Sequence, residues 1–144
     1  MQNRRDLAMS LVAAVASAAS ALAAPSADPL PSATFRFEDL PVRQSAQNKS
    51  RSVMNGITHT GYGVEIHHTE IAVGKMPHEA HRHPHEEVVA LREGSLEVTI
   101  EGKVSKIGPG DVIYIASNEM HGWKNVGETS AHYSVVTLGR KTVA

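Results

Sequence analysis

Four of the chain's nine histidines fall in one stretch, Gly74 to Gly94 (GKMPHEAHRHPHEEVVALREG), with Glu79, Glu86 and Glu87 beside them. So much imidazole beside so much carboxylate suggests affinity for a metal ion. A solvated polar loop is the alternative, and spacing has to separate the two. His81, His83 and Glu87 share one parity, so in an extended chain their side chains fall on one face. Two neutral imidazoles and a carboxylate make a three-point site for a hard or borderline divalent ion, the carboxylate balancing part of its charge. Val89 and Leu91 continue the same parity, the pattern of a strand whose core face begins polar at the mouth of a barrel and ends apolar. His78 and His85 are less constrained and are read as solvated loop residues. The chain contains no cysteine, so disulfides and thiolate chemistry are excluded and any metal must be held by nitrogen and oxygen.

The elements that would position these residues are strands. From Thr34 onward the apolar residues recur at period two or in short runs, in TFRFE, GVEIHHTEIAVG, EVVALREG, SLEVTIEG, KVSKIG, DVIYIAS and HYSVVTLG, and glycine or proline punctuates most of them. No stretch in this part carries helical periodicity. Closely spaced short strands predict an antiparallel sandwich or barrel. The clearest hairpin is SLEVTIEGKVSKIG, with Gly102 at its tip. The polar QSAQNKSRSVMNG fits an edge strand with a long loop or a mobile segment equally well. In VEIHHTEIAV the apolar pairs Val64/Ile66 and Ile71/Val73 fall on opposite parities, which a bulge between them would reconcile. Such a bulge lies near His67 and His68, one of which could then face the cavity as an acid or base; surface exposure is the alternative for both.

A fourth ligand has to come from elsewhere in the chain, and His121 in GDVIYIASNEMHGWKN follows a buried-looking strand and a turn. At this point the pattern resembles a known superfamily. Gly74, His81-x-His83, Glu87 and Gly94 are similar to the first conserved motif of the cupins; Gly110, Ala116, Asn118, His121 and Asn125 are similar to the second. The first spacer is one residue longer than usual, and Ala116 and Asn118 stand where proline and glycine are common. Asn tolerates a positive φ, so the turn survives the change. The resemblance, to a small type-2-like member, implies an all-β fold. It is a single cupin jelly-roll barrel (double-stranded β-helix) with His81, His83, Glu87 and His121 around one divalent ion: manganese, iron, nickel or zinc. It also implies turn roles for Gly94 and Gly110, a turn-fixing side chain at Asn125, and a homodimer. Trp123 shares the parity of His121 and is a candidate to line the pocket with His67 or His68; a core tryptophan is the other reading.

The chain has 144 residues, which bounds it to one folded domain. Residues 1–23 read as a secretory signal peptide, with Arg4 and Arg5 as charged head, an Ala-rich run from Leu7 to Leu22 and a small-x-small cleavage site at Ala21-Leu22-Ala23. NRRDLAM is similar to a twin-arginine signal. Residues 24–33 read as a flexible linker and 34–144 as the domain, which predicts a periplasmic or secreted protein with no stable membrane association after cleavage. The first 23 residues hold two arginines and one aspartate, leaving 12 basic and 14 acidic side chains, so no basic patch invites nucleic acid. The expected partner is a small molecule. Three histidines and a carboxylate leave open positions on a six-coordinate ion, and the resemblance to cupins implies a small-molecule metalloenzyme of the dioxygenase, decarboxylase, lyase or sugar-acid isomerase type. A non-catalytic module that binds a sugar, a carboxylate or the ion itself would use the same residues.

Overall fold

The computed structural model describes residues 28–140; the signal segment lies outside the described residues. Nine strands follow one 3-10 turn at Phe37–Asp39: β1 (Val42–Gln44), β2 (Asn48–Ile57), β3 (Tyr62–Ile71), β4 (Glu86–Glu93), β5 (Leu96–Ile100), β6 (Lys103–Ile107), β7 (Val112–Ile115), β8 (His121–Asn125) and β9 (Ala131–Arg140). All pairings between them are antiparallel. They form a six-stranded sheet in the order β1-β2-β3-β9-β4-β7 and a three-stranded sheet in the order β6-β5-β8. This is the expected jelly-roll barrel, in which four of the seven pairings, β3 with β9, β9 with β4, β4 with β7 and β5 with β8, join strands distant in sequence. No helix among the described residues is long and apolar enough to cross a membrane.

The core is what the alternation requires. Val89 and Leu91 of β4, Leu96 and Val98 of β5, Ile113 and Ile115 of β7, Trp123 of β8 and Tyr133 and Val135 of β9 meet between the sheets and are almost fully excluded from water. Side chains of one parity on each strand thus form a single apolar layer, the main favourable term in folding. The hairpin of β5 and β6 pairs Ile100 with Lys103 across a two-residue turn, Glu101-Gly102, with both residues at positive φ (45° and 76°). That backbone matches the right-handed twist of the strands. Glu101 is an uncommon residue there, and its tertiary bonds offset the cost: its N–H donates to Met120 O at 2.8 Å and its carboxylate accepts from Met120 N–H at 2.6 Å.

The N-terminal third differs from expectation. TFRFE is not a strand: Phe37 opens the 3-10 turn, and Phe35 and Phe37 stay largely exposed because no second sheet covers them. The polar QSAQNKSRSVMNG supplies the last residue of β1, the turn after it and nearly all of β2, an edge hairpin whose register is held by backbone pairing with β3. No bulge interrupts β3, which pairs with β9 without a break from Tyr62 to Ile71. The irregularity is on the neighbouring strand, between Ser52 and Met54, opposite His67 and Ile66. The two parities of β3 are both partly buried because both faces are covered. Thr69 and Ile71 face inward, while on the outer face Phe37 packs 5.7 Å from the His68 ring. Within the 24–33 segment, Leu30 donates its N–H to Ile57 O at 2.7 Å and lays its side chain over Gly56.

Candidate metal centre

Two segments about forty residues apart in the sequence are joined edge to edge to make the site. His81 and His121 exchange reciprocal backbone hydrogen bonds of 3.0 and 2.9 Å, an isolated antiparallel bridge. Asn118 N–H donates to His83 O at 2.8 Å, and Ser117 Oγ donates to Pro84 O at 2.7 Å. Asn118 does so at φ 64°, the positive-φ turn its amide side chain tolerates. The close approach also needs Gly122, since a Cβ there would stand only 3.2 Å from the backbone of Ala80. Glu87 arrives from the first turn of β4, pointing inward with Val89 and Leu91.

The three imidazoles are oriented in one way. Nδ1 of His81 faces Glu79 O at 3.3 Å, Nδ1 of His83 faces His85 O at 2.8 Å, and Nδ1 of His121 faces Glu119 O at 2.8 Å. A carbonyl oxygen only accepts, so each Nδ1 carries the hydrogen and each Nε2 is left as the free donor atom. Those donor atoms lie within 4.8 Å of one another. His83 Nε2 is 3.5 Å from Glu87 Oε1 and His121 Nε2 is 3.4 Å from Glu87 Oε2. Lone pairs therefore face lone pairs, and His83 Nε2, His121 Nε2 and Glu87 Oε2 are buried with no hydrogen-bond partner. Leaving three such atoms unpaired is costly. A cation among them removes the conflict, and ligands at about 2.0–2.2 Å from a shared ion stand roughly 3–3.5 Å apart. The donor set fits a divalent metal.

Histidines that sequence reasoning left in solvent surround this group. The ring of His85 stacks on His83 at 3.6 Å and 8°, with Nε2 3.9 Å from Glu87 Oε1, so it is not a free loop residue. Parity hid this because residues 82–85 are not yet strand: β4 begins only at Glu86. Burial pushes the pKa of His85 down, and the neighbouring His83 adds to the effect. His78 is exposed as expected, yet its ring stands edge-on to His81 at 4.3 Å and reaches the rim of the cavity.

Glu87 opens onto a cavity of about 230 Å³ whose walls include His67, Thr69, Trp123 and Tyr133. His67 faces it from β3 and His68 does not. His68 points to the outer face, where its Nδ1 meets Ser134 Oγ at 2.8 Å beside a separate hollow of about 190 Å³. Burial lowers the pKa of His67, and its Nδ1, 3.6 Å from Glu65 Oε1, has no hydrogen-bond partner. Trp123 is both core and cavity wall, 4% exposed, with its indole N–H directed at the Tyr133 hydroxyl. Burial raises the pKa of Tyr133, so its hydroxyl stays protonated. Asn125 has the turn-fixing role expected of it. Its amide donates to Ile71 O and Thr129 O and accepts from Gly127 N–H.

A two-sheet antiparallel barrel with a three-histidine, one-carboxylate cluster inside it defines a class of protein, and comparison with known families agrees. A model of the cupin domain matches residues 67–137. The chain carries a single small cupin domain. Among solved structures, an RmlC-like cupin from Shewanella frigidimarina NCIMB 400 is 19% identical, covering 76% of this chain and 95% of its own with a TM-score of 0.63. KdgF from Halomonas sp. is 18% identical, covering 77% and 97% with a TM-score of 0.64. A protein described as a predicted oxalate decarboxylase from Thermotoga maritima is 18% identical, covering 74% and 98% with a TM-score of 0.61. At these identities the likeness is one of fold. No curated protein matched by sequence.

Proposed function

We propose that His81, His83, Glu87 and His121 hold one divalent transition-metal ion and that the protein is a metal-dependent enzyme acting on a small molecule in the adjoining cavity. The observation that carries this is the set of buried Nε2 and Oε2 atoms that face one another with no hydrogen between them. One divalent cation would satisfy all of these atoms at once. Bound there, the ion would supply Lewis acidity and open coordination positions to a substrate. The chain's own residues do the rest: the carbonyls of Glu79, His85 and Glu119 fix the three rings, and Glu87, itself buried, stands where the site opens onto the cavity. The donor set admits manganese, iron, nickel or zinc. The fold is shared with proteins described as an oxalate decarboxylase and an oxalate oxidase, which supports a reaction of the decarboxylase or dioxygenase type, with lyase and isomerase chemistry on the same footing.

Elemental analysis of untagged protein, followed by a substrate panel with oxygen-uptake and product readouts, tests the reading. One metal per chain, lost in His121→Ala together with turnover, is the expected result. A full metal complement with no turnover on any substrate would identify a binding module instead, and absence of metal under all loading conditions would refute the site. We further propose that the chain pairs with a second copy of itself and that it is exported. Fractionation of cells producing a C-terminally tagged chain should place it outside the cytoplasm and shortened by about 23 residues. A full-length cytoplasmic product would remove the export proposal.

A further inference from the structure

The outer face of the large sheet carries a second cluster of side chains that the metal centre does not use. Residues opposite one another on antiparallel strands point to the same face. Arg51 of β2 pairs with His68 of β3, and in the next row Lys49 pairs with Glu70, which pairs in turn with His132 of β9. The register shift between Leu91 and Glu93 on β4 places Arg92 beside His132. These residues, with Phe37, line the hollow of about 190 Å³. β3 turns His67 toward the metal cavity and His68 away from it, so the thickness of the sheet separates the two places.

The charge of this hollow has one sign. Three fixed cations, Lys49, Arg51 and Arg92, face one carboxylate, Glu70, which leaves +2 with both imidazoles neutral. Lys49 pairs with Glu70 at 3.3 Å. Arg92 has only an exposed contact, Nε to Glu93 Oε1 at 3.5 Å, a kind of pair that contributes little. Among the described residues no carboxylate pairs with Arg51, whose Nη1 donates to Leu40 O at 3.4 Å. Both guanidinium groups lie against the Phe37 ring, with Cζ atoms 4.6 and 5.6 Å from its centre. Burial lowers the pKa of His68, and Arg92 and Arg51 add to the effect, as a positive field does.

Like charges gathered around one ring repel each other, and a double negative charge among them removes the repulsion. A guanidinium fork matches phosphate oxygens two at a time. A single carboxylate would balance only half of the excess. The volume, roughly six water-sized groups, takes a phosphoryl group and the first atoms attached to it. We infer that this hollow binds a phosphate monoester, its oxygens shared between Arg51 and Arg92 and its organic part against the Phe37 ring, which is 43% exposed. The site needs no metal and stands apart from the reaction proposed above.

The experiment uses the full chain with its metal bound and again after chelation, because phosphate also coordinates metal ions. Glycerol 3-phosphate and acetate are titrated by calorimetry at constant ionic strength. The chelated protein should bind glycerol 3-phosphate at least about tenfold tighter than acetate, since two charges are balanced in place of one. Arg51→Gln and Arg92→Gln should each weaken it by about ten- to hundredfold, the loss of charge-assisted hydrogen bonds. Glu93→Gln, which removes the negative charge beside Arg92, should bind it more tightly than the wild type. That exposed position keeps the inference testable even if an arginine variant does not fold. Vesicles of phosphatidylcholine carrying phosphatidic acid separate two sources of the ester. Co-sedimentation that is lost in the arginine variants assigns a lipid headgroup, and glycerol 3-phosphate binding without co-sedimentation assigns a soluble ester. Acetate binding as tightly overturns the inference, as does phosphate ester binding that requires the metal or survives both arginine substitutions. No binding at millimolar concentration would leave the arginines as anchors of the Phe37 turn and nothing more.

Discussion

The carboxylate of Glu87 sits only 8% exposed, between two histidine Nε2 atoms that offer it no hydrogen. In the metal-free protein this arrangement opposes folding, because a charge is buried without a donor. Glu87→Gln replaces one oxygen with an NH₂ group that can donate to either Nε2 and removes the charge at nearly constant shape. The metal-free variant should therefore be at least as stable as the metal-free wild type. Manganese at a hundredfold excess over its Kd should stabilise the wild type by about 2.7 kcal/mol and the variant by much less. Thermal unfolding with and without metal measures both, and an equal manganese shift in the two proteins would remove Glu87 from the ligand set. Gly94 makes a separate demand at the turn between β4 and β5. Its φ is +88° and a Cβ there would lie 2.7 Å from the Cα of Ala131, which is backbone and cannot rotate away. Gly94→Ala should cost more than about 2 kcal/mol in chemical denaturation, the sum of a left-handed conformation and an overpacked contact.

At the scale of elements, the loop between β7 and β8 is the part that completes the site, because it leads into His121 at the start of β8 and is tied to the His81–Pro84 segment by Asn118 and Ser117. Asn118→Gly should preserve stability to within a few tenths of a kcal/mol. Asn118→Val, at φ 64°, should cost about 1–2 kcal/mol and weaken metal binding with it. Unchanged metal affinity in the valine variant would show that the turn does not set the ligand geometry. The sequence made β4, β5, β7 and β9 legible because each buries one face, so alternation carries an inside and an outside; β6 is legible only as the return strand of its hairpin, and β8, buried at both parities, leaves no alternation to read. It said little about β1 and β2, whose polar residues are held by backbone pairing and leave no period to read. His67 and His68 could not be ranked for the same kind of reason: β3 is covered on both faces, and parity then has no sign. His85 was missed because it precedes the strand whose parity was being counted, and only the stacking of its ring on His83 reveals it.

Across the whole molecule, the inner face of the large sheet is occupied by core and cavity, and its outer face is left apolar near the β7 edge. Val112 and Tyr114 are 60% and 57% exposed. They pair in register with Ala90 and Val88 of β4, and Val88 with Val136 of β9, which makes a continuous strip across three strands. A second copy is the occupant that fits. Nearly balanced charge leaves little long-range repulsion between copies, and a two-fold pairing covers both the strip and the free edge of β7 at once. The expected solution mass at micromolar concentration is twice that of one chain. Val112→Lys with Tyr114→Lys should return it to the mass of one, since a charge would be buried in each half of the interface. Because His81, His83, Glu87 and His121 all come from a single chain, the separated protein should keep its full metal content. A wild type sedimenting as one chain would overturn the pairing, and a single-chain variant that lost its metal would mean that the partner helps to hold the site.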